Sequence, residues 1–350
     1  MTSTSHNVVE RLLQQAGFAG PFALTPLAGG ANSKAFRVDR GPREAPLFLK
    51  EYFHHADDPR DRLGTEFAFA SFAWEQGLRS IARPFALDRA AHGALYSFLD
   101  GRKLSAREVT PNAIGQCLRF LQALSACKGS PRATELPIAS EACFCLEDHW
   151  NCLVRRVDRL ESIEPVGVLD KQAWLFVNRE LAPACAAYLG SARELAAVVG
   201  VVASAMIAPG DRCLSPSDFG FHNALMADDG TLRYLDFEYA GWDDPAKTVG
   251  DFFCQPACPV PMAYYGDFAN QVAAMTSDPA LHRMRMDLLL PMYRLKWCCI
   301  LLNDFLPSGG SRRRFALQEQ NENARKAEQL RKAQQALSRH WNEEPVPLAA

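Results

Sequence analysis

Three polar residues at fixed spacings constrain the fold of this chain more than any other feature. Asp218 and Asn223 stand five residues apart, and Asp236 follows Asn223 after thirteen residues. The segment between Asn223 and Asp236 contains two short apolar stretches separated by an Asp-Gly turn, which predicts a β-hairpin. The predicted hairpin consists of a strand 224–226, a turn 227–230 and a strand 231–235. The chain is therefore expected to turn back here and place Asp236 beside Asn223.

Together, these three side chains could remove a proton from a hydroxyl beside a bound Mg²⁺. Asp218 offers a carboxylate as proton acceptor, while the amide oxygen of Asn223 and the carboxylate of Asp236 are the hard oxygen ligands that Mg²⁺ prefers. The same spacings are typical of the catalytic loop and the metal-binding aspartate of kinases. The alternative is three unrelated polar loop residues, since Asp and Asn are common in turns. The two spacings and the intervening hairpin together favour the site.

Length and composition favour a globular protein of two lobes. The chain has 350 residues, of which 48% are hydrophobic, so it can bury substantial cores. Its formal net charge of −2 gives no indication of a nucleic-acid or membrane partner. The eleven cysteines form no paired C-x-x-C motifs, which favours reduced, mostly buried thiols over a zinc site or a disulfide framework. No signal peptide is recognisable at the N-terminus, and we expect a cytoplasmic protein.

Residues 1–100 are predicted to form a strand-rich, nucleotide-binding N-terminal lobe. Alternating apolar residues favour strands, and one amphipathic segment carries Leu63, Phe67 and Trp74 on the same helical face. In chain order we expect a helix Val8–Ala16, a strand–glycine turn–strand unit over 24–38, a strand Leu47–Tyr52, a helix Arg60–Gln76 and a strand Leu95–Leu99.

Residues 101–350 are predicted to form a mostly helical lobe with the catalytic loop, the metal site and an acceptor pocket. The longest apolar run, Leu195–Ala208, has fourteen residues, too few to span a bilayer, and predicts a buried helix ended by Pro209-Gly210. The candidate helices are 111–126, 143–163, 171–189, 193–208, 244–254, 261–275, 281–289, 292–305 and 312–341.

A glycine turn near the N-terminus is a candidate phosphate-binding element. Gly29 and Gly30 lie between two predicted strands, where glycine would let backbone amides approach phosphate groups. Asn32 and Ser33 follow and could add hydrogen-bond donors. The alternative is a plain hairpin turn, which such a glycine pair forms more often.

Lys50 and Glu66 form a second candidate element for nucleotide binding. Lys50 lies between apolar residues of a predicted strand, and Glu66 lies on the helix that follows. In kinases such a pair positions the lysine on the α- and β-phosphates, although an edge-strand lysine is a common alternative. Backbone groups from Ser97 to Leu99 would then contact the adenine. The order of these elements along the chain favours them jointly.

With the residues in this order, the chain resembles the aminoglycoside phosphotransferase and choline kinase superfamily. The resemblance runs from the segment 27–33 to about Phe305 and is clearest in 218–223 and 235–241. It implies an α+β, two-lobed, protein-kinase-like fold that uses ATP and Mg²⁺ to phosphorylate a hydroxyl of a small molecule. Asp218 would be the catalytic residue, and Asn223 and Asp236 would bind the metal.

Several residues around the catalytic loop depart from the family pattern or leave alternatives open. The family commonly has His-Gly before its catalytic Asp, whereas this chain has Pro216-Ser217. By analogy, Asp251 would brace the loop. Glu238 would either assist the metal or hydrogen-bond nearby backbone, and His222 would either face the phosphates or, as we favour, pack the loop.

The alternatives to this function are a pseudokinase that binds ATP without turnover, an aminoglycoside- or choline-type kinase, and a protein kinase. The missing Ala-Pro-Glu motif disfavours the last.

The segment 312–340 has eight basic and three acidic residues and begins Arg312-Arg313-Arg314, which would disfavour a polycationic acceptor if it borders the cleft. We therefore expect a sugar-like or other small neutral or anionic acceptor. Four aromatic residues could provide flat faces for it, although packing in the core explains them equally well: Tyr264, Tyr265, Tyr293 and Trp297.

Overall fold

The computed structural model describes residues 3–27, 33–55, 58–306 and 322–342. Its N-terminal part contains a five-stranded antiparallel sheet in the order β1-β2-β3-β5-β4. The ten strands of the described chain are β1 (Ala23–Leu27), β2 (Ser33–Asp39), β3 (Leu47–Tyr52), β4 (Pro84–Asp88), β5 (Gly93–Ser97), β6 (Arg102–Lys103), β7 (Cys213–Ser215), β8 (Ala224–Met226), β9 (Leu232–Tyr234) and β10 (Gly241–Asp243).

The central strand β3 shows why the sheet forms and where it sends Lys50. Successive side chains of a strand point to opposite faces. Leu47 and Leu49 accordingly pack in a small core with the first helix, whereas Tyr52 belongs to the main core on the opposite face. Lys50 lies on the same face as Tyr52. Its strand is flanked on both sides by β2 and β5, so the edge-strand explanation for this lysine is wrong.

The helices of the described chain are α1 (Ser3–Gln15), α2 (Arg62–Glu75), α3 (Pro111–Cys127), α4 (Leu146–Glu161), α5 (Val168–Phe176), α6 (Ala182–Val198), α7 (Pro245–Cys254), α8 (Tyr265–Ala273), α9 (Pro279–Leu301) and α10 (Glu322–Asn342). Helix α1 covers one face of the sheet and α2 covers the other. The α2 helix begins after Asp61, whose carboxylate accepts a hydrogen bond from the Gly64 N–H at 2.8 Å.

Helix α9 lies at the centre of the helical part and packs against α4, α7 and α10. The sequence predicted two helices here, but one helix continues through Pro291 to Leu301. Burial of apolar residues all along α9 compensates for the hydrogen bond that a proline removes. Similarly, one turn of π-helix, Val177–Leu181, joins α5 to α6 without a break.

The predicted helix over 193–208 is too long. Helix α6 ends at Val198, because Gly200 adopts a left-handed conformation with φ of 73°. The N–H of Val201 then bonds the Ala196 carbonyl, and the N–H of Gly200 bonds the Ala197 carbonyl. These two bonds form a Schellman cap. Only the first four residues of the fourteen-residue apolar run are therefore helical, and Pro209-Gly210 begins a separate short 3₁₀ turn.

Two small sheets position the loop that carries Asp218. One pairs β7 with β10, and the other has the order β6-β8-β9. The loop runs from β7 to β8, and Asp236 lies between β9 and β10. Gly101, just before β6, has φ of 145°, and a Cβ there would lie 2.9 Å from the Met226 carbonyl oxygen. Glycine therefore lets the connection from the large sheet approach β8 closely.

The described helices include none that is both long and apolar enough to cross a membrane. All eleven cysteines are free thiols, and most are buried.

Candidate active site

Lys50, Glu66 and Asp236 meet in the structure although they are far apart in sequence. The Lys50 ammonium lies 2.7 Å from a Glu66 carboxylate oxygen and 2.6 Å from an Asp236 carboxylate oxygen. Lys50 and Glu66 are buried, whereas the Asp236 side chain is 39% exposed. Burial alone lowers the pKa of Lys50, but Asp236 and Glu66 outweigh it and hold that pKa well above its ordinary value. The ammonium is therefore charged at neutral pH.

A third carboxylate, Glu238, completes this cluster. Oxygen atoms of Glu66, Asp236 and Glu238 lie within 4.8 Å of one another, a spacing that a cation could occupy. The Lys50 ammonium already lies among them, 3.9 Å from Glu238, and Arg62 lies 3.6 Å from Glu238 on the other side. Lysine and arginine thus lie against the two buried glutamates, and Asp236 is the most exposed carboxylate of this cluster.

Successive side chains of the loop before β8 point alternately into the core and towards the candidate site. Phe219 and Phe221 are buried and both pack on Phe252 of α7, with ring centroids 5.5 and 5.6 Å away. Asp218 and His222 take the opposite side, and the His222 Nε2 lies 2.9 Å from an Asp218 carboxylate oxygen. The prediction that His222 packs the loop is thus extended by a direct contact with Asp218.

The electrostatic surroundings of Asp218 favour its ionised form. Burial alone raises the pKa of Asp218, but His222 and Lys296 outweigh it and lower that pKa below its ordinary value. At neutral pH the carboxylate is therefore ready to accept a proton. Gly220 makes the contact with His222 possible, because a Cβ at Gly220 would lie 2.8 Å from the His222 ring.

A chain of hydroxyl groups supports Ser217, which replaces the glycine common before the catalytic Asp. The Ser217 N–H donates to the Ser215 hydroxyl at 2.9 Å, and that hydroxyl lies 2.9 Å from the Thr248 hydroxyl. By analogy, Asp251 was expected to brace this loop. Its carboxylate accepts hydrogen bonds from Lys296 at 2.9 Å and from Trp297 at 3.0 Å, both on α9, and the charge of Lys296 in turn acts on Asp218.

Asn223 and Asp236 are brought together as the hairpin predicts. The Leu235 N–H donates to the Asn223 carbonyl at 2.9 Å, which fixes the residue before Asp236 against the loop. The Asn223 amide nitrogen donates to the Asp218 carbonyl at 2.9 Å, so its amide oxygen is the atom that remains for ligation. An amide oxygen and a half-exposed carboxylate form a hard donor set of the kind that Mg²⁺ takes, so these residues fit the ion.

A cavity of about 430 Å³ opens beside Asp218. Lys50, Glu66 and Asp236 are not among the described residues that line it, but Tyr239, which lines it, contacts Arg62 beside Glu238. Of the four aromatic residues predicted to face an acceptor, Trp297 lines the cavity. Tyr265 and Tyr293 are instead buried in the core, and Tyr264 packs against it. Tyr239, which the sequence did not single out, also lines the cavity.

The other predicted nucleotide contacts lie on the large sheet or outside the described residues. Gly29, Gly30 and Asn32 belong to the segment 28–32, which is not described. Ser33 begins β2, is buried and pairs with Tyr52 of β3.

Ser97 ends β5, and its N–H and hydroxyl both bond the backbone of Arg83. Leu99 therefore lies just beyond the strand that was predicted to include it. Here the N–H of Phe98 bonds the Pro46 carbonyl.

Sequence reasoning missed the basic lining of the cavity. Arg156 and Arg159 come from α4, Lys247 from α7, and Lys332 from α10. The spacing of Arg156 and Arg159 on a predicted helix was visible, but which face of the helix borders the site depends on tertiary packing. The sequence does indicate a basic C-terminal segment, and Lys332 of this segment lines the cavity. Arg312 to Arg314 lie outside the described residues.

Comparison with protein families gives a match to the model of the phosphotransferase enzyme family over residues 23–286. The match spans more than half of the chain, so the chain belongs to this family. A comparison with curated protein sequences gave no match.

Several solved structures are similar in fold. A spectinomycin phosphotransferase in complex with ADP and spectinomycin has a TM-score of 0.64 at 14% identity, over 97% of this chain and 98% of that chain. An ethanolamine kinase from Plasmodium vivax has a TM-score of 0.57 at 12% identity, over 89% of this chain and 82% of that chain. A choline kinase from Cryptosporidium parvum has a TM-score of 0.54 at 11% identity, over 91% of this chain and 90% of that chain. The fold is thus the α+β, protein-kinase-like fold expected from the sequence.

Proposed function

We propose that this member of the phosphotransferase enzyme family transfers the γ-phosphoryl group of ATP to a hydroxyl of a small molecule, with Mg²⁺ bound at the site. The observation that carries the proposal is the position of Asp218. Asp218 lines a cavity that can hold an acceptor, and hydrogen bonds through Asn223 and Leu235 connect its loop to Asp236 of the Lys50 cluster, which can hold phosphates and metal. Residues 1–100 would bind the nucleotide, and residues 101–350 would supply catalysis and the acceptor pocket.

On the nucleotide side, Lys50 would orient the α- and β-phosphates. Glu66 holds the lysine in place through the 2.7 Å ion pair, and burial of both groups keeps them in one geometry. The backbone near Leu99 would contact the adenine, since this residue follows the end of β5. The glycine turn before Ser33 would cover the phosphates, as the order of elements in the sequence predicts.

At the reacting end, Asp218 would orient the acceptor hydroxyl and accept its proton. Its carboxylate is already held by His222 and is ionised at neutral pH. Asn223 and Asp236 would hold Mg²⁺, which when bound neutralises charge on the phosphates. Most of the rate gain would come from positioning and electrostatics, because the loose transition state of phosphoryl transfer needs little covalent help.

The acceptor would be a small, sugar-like molecule or another small alcohol. The cavity of about 430 Å³ has the size of a small-molecule site. Trp297 and Tyr239 line it and offer flat faces of the kind on which sugar rings pack. Polycationic aminoglycosides and choline fit less well, because basic side chains line the same cavity.

The test is Asp218→Asn, assayed for ATP-dependent phosphorylation against a panel of small alcohols. We expect turnover to fall by at least 100-fold, the scale of a general-base contribution, while Mg-ATP binding measured by calorimetry stays within a few-fold of wild type. His6→Gln, far from the site on α1, is the control and should change neither quantity. Turnover of Asp218→Asn close to that of wild type would refute the role of Asp218. Nucleotide binding by wild type without turnover of any alcohol would refute catalysis.

A further inference from the structure

The cavity beside Asp218 is lined by more positive than negative side chains. Six cationic and three anionic residues contribute to it, a net of +3: Arg60, Arg156, Arg159, Lys247, Lys296 and Lys332, against Glu141, Asp218 and Asp251. A site for a cationic acceptor would need the opposite balance, because like charges in one cleft repel.

The cations differ in how firmly other side chains already hold them. Lys247 is buried and paired with Asp243, and Lys296 is buried and paired with Asp251. Their charges are therefore already neutralised by buried carboxylates of the folded protein. Arg159 is exposed at the cavity rim.

Lys332, also at the rim, has a single ion-pair neighbour among the described residues, Glu328, at 3.6 Å. Both side chains of that pair are more than 40% exposed, and exposed pairs contribute little. Arg159 and Lys332 can thus bind a ligand at little cost, because, within the part of the chain that the structure describes, Arg159 would give up only contacts with water and Lys332 only a weak ion pair.

Glu141 already acts as an anion within this basic cavity. It forms an ion pair with Arg156, and Lys296 and Lys247 also act on its charge. Burial alone raises the pKa of Glu141, but these three cations outweigh it and lower that pKa to about 2. Glu141 has φ of 54°, in the left-handed region that non-glycine residues rarely adopt. Such strain persists where the surroundings fix it and is frequent at functional sites.

Arg156 has hydrogen-bonding capacity that Glu141 does not use. The side chain is nine-tenths buried, and its Nε has no hydrogen-bond partner among the described residues. The Nε atom is itself enclosed, so a ligand in the cavity would meet the outer nitrogens of the Arg156 guanidinium, which lines the cavity. A carboxylate or phosphate suits a guanidinium best, since two oxygens can face two of its nitrogens.

From this geometry we propose that the acceptor carries a carboxylate or phosphate group besides its hydroxyl, and that Arg156, Arg159 and Lys332 bind this anionic group. The hydroxyl would then reach Asp218 at the other side of the cavity. Glu141 would compete with the anionic group for Arg156 and would exclude ligands that bind this arginine weakly. The inference rests on the proposed phosphotransfer for its chemistry, but anion binding can be measured without turnover.

The experiment compares alcohols that share a carbon skeleton within each of two series and differ in the charge of one substituent, together with two cations. The probes are glycerol, glycerate and glycerol 3-phosphate, then glucose, glucuronate and glucose 6-phosphate, with choline and kanamycin as cations. Each is assayed for turnover with Mg-ATP, and for binding by calorimetry in the presence of Mg²⁺ and a non-hydrolysable ATP analogue. The carboxylate and phosphate arms separate the two kinds of anionic group.

The decisive variant is Arg159→Ala/Lys332→Ala, because both residues lie at the rim and neither is in the core. We expect its KM for the preferred anionic acceptor to rise about tenfold or more, with kcat and the KM for ATP within twofold of wild type. Arg159→Lys/Lys332→Arg should restore most of the affinity. Arg155→Ala/Lys171→Ala removes the same charge from exposed positions outside the cavity and should leave all constants unchanged.

The possible results separate this inference from the proposed function. If an anionic probe binds wild type, but not the rim variant, and no probe is phosphorylated, the anion site is supported and phosphotransfer fails. If neutral or cationic probes are turned over best, and the rim variant treats them as wild type does, phosphotransfer stands and the anion site is overturned. If no anionic probe binds or reacts, the anion site is likewise overturned. Glu141→Gln gives an independent check, since it should lower the KM for anionic acceptors.

Discussion

Glu238 offers a measurable link between burial and stability, because its charge costs the folded protein free energy. The side chain is 2% exposed and lies next to Asp236. Burial and then the Asp236 charge raise the pKa of Glu238 from its ordinary 4.5 to about 7, although Lys50 opposes them. The folded state therefore holds this proton more tightly than the unfolded state does.

The sign and size of the effect follow from that difference. A group with a raised pKa stabilises the folded state fully below the unfolded value, and this contribution is lost as pH rises through the folded value. The loss therefore falls between about pH 4.5 and pH 7. A pKa difference of this size corresponds to roughly 3 kcal/mol. Glu238→Gln removes the titration, so the variant should gain roughly 3 kcal/mol relative to wild type between pH 4.5 and pH 8.

Urea unfolding at several pH values measures this quantity as the difference in free energy of unfolding between Glu238→Gln and wild type. Any loss of hydrogen bonds in the variant is the same at every pH and cancels from the slope. Glu164→Gln, an exposed carboxylate, is the matched control and should give a flat difference. If Glu238→Gln instead loses stability relative to wild type as pH rises, Glu238 is ionised, and its pairs with Lys50 and Arg62 outweigh its burial.

Three further predictions concern catalysis. Asp236→Ala should weaken Mg²⁺-dependent nucleotide binding, measured by calorimetry, more than Asp218→Asn does, because Asp236 is the carboxylate proposed to bind the metal; unchanged affinity would contradict this role. Lys50→Ala and Glu66→Ala should not be additive, since the two residues act as one unit; a double variant whose rate loss equals the product of the single losses would exclude the pairing. His222→Gln should raise the pKa of Asp218 by removing a favourable neighbour, so the acidic limb of the kcat/KM profile should move to higher pH, and an unmoved limb would count against this contact.

The local order of the chain could be predicted because short-range patterns dictate it. The strand over 47–52 and the strand over 224–226 have the predicted bounds, since alternation and turn residues define them. The predicted secondary structure was wrong where an element depends on contacts with residues distant in sequence. The strands at 213–215 and 241–243 are three residues each and exist because they pair with each other. Helix α9 passes through Pro291 because α4, α7 and α10 pack against it.

The same distinction applies to the site. The spacing of Asp218, Asn223 and Asp236 reflects one hairpin, and so it is visible in the sequence. The basic wall of the cavity draws on α4, α7, α9 and α10, which no local pattern connects. Its charge could not be predicted from the net charge of the chain, which is −2, because opposite charges elsewhere cancel it. Knowledge of the acceptor therefore depends on the tertiary structure.

Backbone conformation explains how the loop can keep its shape without the usual His-Gly. Ser217 and Asp236, one on each side of the catalytic loop and hairpin, both have left-handed φ values, 63° and 66°. Each such residue costs on the order of 1–3 kcal/mol and persists only when neighbours fix it. Ser217 is fixed by the hydroxyl chain through Ser215 and Thr248, and Asp236 by Lys50. Contacts made on folding therefore fix the backbone at Ser217 and at Asp236, and these contacts replace the support that a histidine gives in the family pattern.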